Sequence, residues 1–357
     1  MGTGVECDSS QSDRPSERPV RAPVRRKSHR VAPLCGLGPK EYRRLRRFGA
    51  PALFFQLLHF VTAMHLGFLT QDLDCIEWFA GCHRVVEACR SCGMSSLGFE
   101  IREDQQFQDL NKPCGMIEAC ILMLRLKAQG LCVWGTECST WIFMSRSQYG
   151  RTRLCPLGRP IAQCAAEALR ANQQVSRMAL LTLLCWAKYG LFLLEQPLSS
   201  LMDRHPRLVA FPFDRLYCSS AYMGSYGACC PKPSRLFSNV LYMCMQLGTS
   251  LTRAEKQTIK AKNKDKEVSK RVFKGGKWHI TGGKDLKQTG IYTEAFTKKV
   301  AESYSRWRNI HAPDLNSKLE ESSESDYDGD VDDTWEDAEL RPCLRLFKNS
   351  ACASVQS

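Results

Sequence analysis

The chain reads as an α/β domain built on a doubly wound, mostly parallel sheet. Three observations predict it. Short apolar runs alternate with helix-length stretches from Asp74 to Leu194, and the connections between them are brief. At 357 residues with 43% hydrophobic content, the chain can bury a sizeable core. Three polar residues, Glu100, Cys138 and Glu195, fall at or just beyond the ends of apolar runs. Parallel sheets bind ligands at those ends of their strands.

The elements follow in order. Asp74–Ala80 (DCIEWFA) has strand character, and Gly81–Cys92 reads as a turn and helix with Val85, Val86, Ala88 and Cys89 available to face inward. Ser95–Glu100 is a second strand ending in a carboxylate. Met116–Gln129 is a helix and Leu131–Trp134 the next strand. Ala162–Tyr189 is a long helix, Leu191–Leu194 a buried strand, and Glu195-Gln196-Pro197 follows it. Strand, helix, strand with short turns implies right-handed crossovers. Tyr222–Asn239, rich in Gly, Pro and Ser, suits hairpins or a long loop. Ile291–Trp307 reads as a helix, with Thr293 as N-cap and Phe296, Val300 and Tyr304 on one face.

The flanks differ from this middle. Residues 1–38 form a basic arm with few large apolar side chains, expected to be disordered, and 39–73 a helical lead-in to the α/β domain at 74–250. Residues 251–288 are a basic surface segment or loop, 289–310 a helix returning to the domain, and 311–357 an acidic disordered tail. Ala52–Leu69 has near membrane-span length, but Gln56, His59 and His65 interrupt it, so a buried helix is the expectation and no membrane partner is assigned.

The net charge of +13 resides largely in blocks such as Arg21–Arg30 and Lys256–Lys277, and such blocks suit polyphosphate partners or solvated surfaces. No secretory leader is recognisable, so the 19 cysteines are expected to be reduced core residues in an intracellular protein; the basic N-terminal run is compatible with a nuclear location. Cys89 and Cys92 form a CxxC near Cys82 and His83, yet no second pair at matching spacing follows, and no metal site is assigned.

A thiol and a carboxylate together suit one reaction class. Thiolate adds to C6 of a pyrimidine, a carboxyl group serves N3, and C5 becomes nucleophilic. Cys138 and Glu195, each following its own strand, are the candidates.

The order Phe79-Ala80-Gly81, Glu100, Cys138-Ser139-Thr140, Pro156-Leu157-Gly158, Asn172, Glu195-Gln196-Pro197 and Lys232–Asn239 (KPSRLFSN) resembles the DNA (cytosine-5) methyltransferases, most closely their compact phage-like branch. The resemblance covers Asp74–Asn239, with a weaker echo in Tyr292–Tyr304. It implies a class I, Rossmann-like methyltransferase fold that uses S-adenosylmethionine. Phe79, Ala80 and Gly81 would form the turn against the cofactor, Glu100 would accept from its ribose hydroxyls, and Asp109 would lie near its adenine. Cys138 would be the nucleophile, Glu195 the residue at cytosine N3, and Arg235 the arginine that holds the base. DNA is the implied partner, with RNA as an alternative substrate. A catalytically degenerate module binding nucleic acid or cofactor is the competing class.

Two departures carry expectations of their own. Cys82, His83 and Arg84 follow Gly81 where the family continues with glycines. Glu137 stands where the family has proline, and its charge should raise the pKa of Cys138 unless it points away.

Overall fold

The computed structural model of the chain describes residues 70–159, 165–211 and 216–324, with side chains to His311 in the last helix. The basic arm, the stretch Ala52–Leu69 and the acidic tail past Glu324 lie outside the described residues.

Strand β1 (Leu73–Trp78) leads through helix α1 (Arg84–Ser91) to β2 (Ser96–Phe99). Helix α2 (Pro113–Arg125) precedes β3 (Leu126–Trp134), and α3 (Ala166–Ala187) precedes β4 (Leu191–Pro197). These four strands are parallel. Strands β5 (Tyr217–Tyr222) and β6 (Pro233–Ser238) complete a six-stranded sheet in the order β2-β1-β3-β4-β6-β5, in which β6 runs antiparallel to both its neighbours. The chain leaves β1 outward to β2 and returns to β3 on the other side. The order therefore reverses between β1 and β3, the place where open sheets of this kind hold ligands.

Residue alternation explains the layering. Ile76, Trp78, Cys132, Trp134, Phe192 and Leu194 face one side and pack with α2 and α3; Trp78 and Trp134 stack there with centroids 4.8 Å apart. Cys75, Leu131, Val133, Leu191, Leu193 and Leu236 face the other side. That side is covered by α1, α4 (Leu241–Leu247) and α6 (Glu294–Glu324). Both β1 and β4 are buried along nearly their whole length, as strands covered on two faces must be. Phe296, Val300, Tyr304 and Trp307 seat α6, each large apolar side chain contributing roughly 2 kcal/mol through burial. The expected Thr293 cap forms, its Oγ1 accepting from the Phe296 N–H at 3.3 Å.

The structure corrects several boundaries. β3 starts at Leu126, inside the expected helix, and α2 begins earlier, at Pro113. Lys188 Nζ donates to the carbonyls of Met123 and Leu126 at 3.1 and 2.7 Å, closing the end of α2. Residues 251–288 are more than a loop. They form helix α5 (Arg253–Lys262), started by a Thr252–Glu255 capping box, and a hairpin of β7 (Ser269–Lys274) and β8 (Lys277–Gly282). Helix α6 continues through Glu324, past the point where the tail was expected to start. Among the described residues no helix is long and apolar enough to cross a membrane.

Candidate functional site

The loops after β1, β3 and β4 meet at the carboxyl ends of the strands. After β1, Phe79, Gly81 and His83 all take left-handed backbone, with φ of 59°, 57° and 54°. Such conformations are unfavourable for Phe and His, and strained turns of this kind gather at binding sites. A Cβ at Gly81 would meet only the Phe79 carbonyl, at 4.0 Å, so the turn is open on that side. Ala80 is buried. Glu100, just past β2, holds the turn: its Oε2 accepts from the Gly81 N–H at 2.8 Å and its Oε1 from the Arg102 N–H at 3.2 Å. Its own N–H bonds to the Gln108 side chain at 2.6 Å. Asp109, the next residue along, accepts from the Asn111 N–H at 2.9 Å and faces Arg170 at 3.6 Å.

Beyond Gly81, the side chain of His83 occupies the space over Gly98, and its Nε2 lies 2.5 Å from Glu103. The α1 N-terminus is closed from beneath. Buried Glu77 accepts from the N–H groups of Val85 and Val86, both at 3.0 Å. Burial drives its carboxyl up from 4.5 to about 7, against the lowering effect of those two bonds. The sequence reading passed over Glu77; its signal was an acid inside the apolar strand DCIEWFA.

Cys138 follows the end of β3 and Glu195 lies near the end of the neighbouring β4, close enough for the Glu195 charge to act on the thiol. The Cys138 thiol is pushed up from 9.0 to about 11, first by burial and next by the charge of Glu195; Lys232 opposes, and Glu137 comes last. Glu137 is exposed and accepts from Ser139 Oγ at 2.8 Å. Its charge raises the Cys138 thiol as expected, but is the smallest of these effects. Glu195 is buried. Its Oε2 accepts from Tyr292 Oη at 3.4 Å, while Oε1 lies 3.8 Å from Lys232 Nζ and accepts no hydrogen bond. A buried carboxylate oxygen without a donor is costly, which makes it a place for an incoming N–H.

Neither Lys232 nor Tyr292 was singled out from sequence. They come from the β5–β6 connection and the approach to α6; each opens a segment that carries the resemblance, Lys232–Asn239 and Tyr292–Tyr304, but neither segment's pattern assigns it a role. Tyr292 lies on the face shared by Glu77 and Glu195, and its Oη would sit 3.2 Å from a Cβ at Gly135. Arg235 is not brought to this group. On β6 it pairs with Gln196 rather than Glu195, so it projects from the opposite face of the sheet, and its Nη1 bonds Asp203 at 2.5 Å.

The Cys138 loop is fixed from several sides. Gln196 Nε2 donates to the Thr136 carbonyl at 2.8 Å, and the Leu201 N–H to the Trp141 carbonyl at 3.1 Å. Arg151, 2% exposed, lays its guanidinium 3.5 Å from the Trp141 ring centre. It donates to Thr140 Oγ1 at 3.2 Å, to Asn172 Oδ1 at 2.8 Å and to the Pro156 carbonyl at 2.7 Å. One buried cation thus ties the Cys-Ser-Thr segment, the Pro-Leu-Gly loop and α3 together. His205 closes the same cluster edge-on to Trp141, held neutral by burial and by the charges of Arg151 and Arg207, which take it down to about 4.

No family model matches the chain, and no curated protein or solved structure matches it at a significant level.

Proposed function

We propose that the chain is an S-adenosylmethionine-dependent methyltransferase of class I, Rossmann-like fold that acts on cytosine C5 in DNA through a Cys138 adduct. One observation carries the reading. Glu195 presents a buried carboxylate oxygen that accepts no hydrogen bond, near enough to the Cys138 thiol for its charge to act there. Once that oxygen has taken the thiol proton, it is a donor to the lone pair of cytosine N3, with C6 then turned to the sulfur.

The cofactor fits the residues at the β1–β3 reversal. Each oxygen of Glu100 accepts one backbone N–H, and a carboxylate has about four acceptor positions, so two ribose hydroxyls can still be received. The open side of Gly81 gives room beside it. When bound, S-adenosylmethionine supplies a sulfonium methyl group to a carbon nucleophile. The chain's own part is to prepare that nucleophile. The Glu195 carboxylate takes the thiol proton and passes it to N3 as Cys138 Sγ bonds to C6, so the proton lost by sulfur is the one gained at N3. The electron pair of the C5–C6 bond gathers at C5. Tyr292 holds Glu195 in place through Oε2, and Lys232 supplies positive charge that favours the thiolate. Loss of the C5 proton to water, with its electron pair re-forming the C5–C6 double bond as the Sγ–C6 bond breaks and the N3 proton returns through Glu195 to sulfur, would release the product.

A second reading rests on the protonated thiol. With its pKa near 11 in the ligand-free protein, Cys138 could belong to a catalytically silent module that binds nucleic acid or cofactor. Radiolabelled methyl transfer from S-adenosylmethionine to matched DNA and RNA separates the alternatives. Label at cytosine C5 of DNA supports the proposal, label in RNA alone transfers it to that substrate, and label in neither, with the cofactor bound, leaves the silent module.

A further inference from the structure

Between α5 and α6 the chain forms a ribbon that the site above does not use. The turn Gly275-Gly276 takes φ of 58° and 74°, the conformation that two-residue hairpin turns favour. The register sets Arg271 opposite Ile280 and Phe273 opposite Trp278, so these four side chains share one face. Lys270, Val272, His279 and Thr281 share the other, together with Lys277. The rings of Phe273 and Trp278 meet edge to face, with centroids 5.2 Å apart. Yet Trp278 remains 69% exposed and Phe273 59%. Isolated hairpins are marginal in water, and uncovered aromatic pairs mark contact surfaces. Residues 269–282 carry four Lys or Arg and no Asp or Glu. β8 packs beside the 3-10 turn Phe143–Ser145, which follows the Cys138 loop.

We propose that this ribbon binds a single nucleic-acid strand, stacking its bases on Phe273 and Trp278. Arg271 beside the rings, and Lys270 and Lys277 reaching around a ribbon only two strands wide, meet the phosphates. Aromatic faces interleaved with cations are what an unpaired strand requires, since every base has a face to stack and every linkage a charge. A second copy of the chain is the poorer occupant, because two ribbons of the same sign repel. The placement beside the Cys138 loop suits the strand that delivers a base to the cleft. In that respect the ribbon deepens the cytosine reading, but its binding needs no thiolate.

The test is fluorescence anisotropy of a labelled oligodeoxythymidylate with the full chain and no cofactor. Trp278→Ala should weaken binding roughly tenfold or more while Trp278→Phe stays near wild type. Lys270→Gln with Lys277→Gln should reduce the slope of log affinity against log salt by about 1.4. Cys138→Ala should bind as wild type, so loss of catalysis and loss of this contact are read separately. Unchanged binding in Trp278→Ala overturns the proposal, as does tighter binding to the duplex that is indifferent to Trp278. A Trp278-dependent dimer, or Trp278-dependent adsorption to anionic vesicles without oligonucleotide binding, also overturns it.

Discussion

Replacing Glu195 by glutamine should make Cys138 more reactive towards a small alkylating agent. In the ligand-free protein the thiol is held at about 11, so at pH 7 about one molecule in ten thousand carries the thiolate. An unperturbed thiol at 9.0 would have about one in a hundred. The difference is equivalent to about 3 kcal/mol against ionisation. Burial is its largest cause and remains after the substitution; the Glu195 charge is the next cause and is removed. The gain in alkylation rate is therefore real but well below hundredfold. Lys232→Met should act in the opposite direction, because it removes the charge that favours the thiolate. Iodoacetamide rates between pH 6 and 11, read on the Cys138 peptide by mass spectrometry, measure both effects. A midpoint at or below 9 in the wild type would refute the electrostatic description, as would unchanged or slower alkylation in Glu195→Gln.

Two further substitutions probe the frame of the site. Glu77 is raised to about 7, so its contribution to stability is full below 4.5 and is lost as pH rises through 7. Glu77→Gln keeps an acceptor for the α1 N–H groups without the charge. The melting curves of the two proteins should diverge between pH 5 and 8, with the variant gaining up to about 3 kcal/mol relative to wild type; parallel curves contradict the assignment. Arg151→Met leaves Asn172, Thr140 and the Pro156 carbonyl without their donor, which should cost about 2–4 kcal/mol in denaturant unfolding. Adduct formation at Cys138 should fall in the variant while oligonucleotide affinity is kept.

Much of the fold was legible because strands buried on both faces leave continuous apolar runs. β1, β2 and β4 were expected within a few residues of where they lie. β3 was shortened because Lys127 and Gln129 interrupt its start, and Gln129 sits at φ 62° where the register shifts. β5 escaped because its edge residues Cys218, Ser219 and Ser220 look like loop. The hairpin escaped for a different reason: lysines dominate it, although Gly-Gly between VFK and KWHI was a usable turn signal.

The site was legible only in part. Cys138 and Glu195 were found because each follows an apolar run, and their nearness follows from β3 and β4 being neighbours. Lys232 and Tyr292 depend on tertiary folding of distant segments. Arg235 was misplaced because strand alternation, which one residue decides, puts it on the face opposite Glu195.

The central claim is that Cys138 and Glu195 work on one cytosine ring. Incubation of the chain with a 5-fluorocytosine duplex and S-adenosylmethionine tests it by intact mass. The account predicts a covalent protein–DNA species for the wild type, none for Cys138→Ala, and a strongly reduced yield for Glu195→Gln. Absence of the adduct in the wild type despite measured cofactor binding, or its persistence in Cys138→Ala, would contradict it.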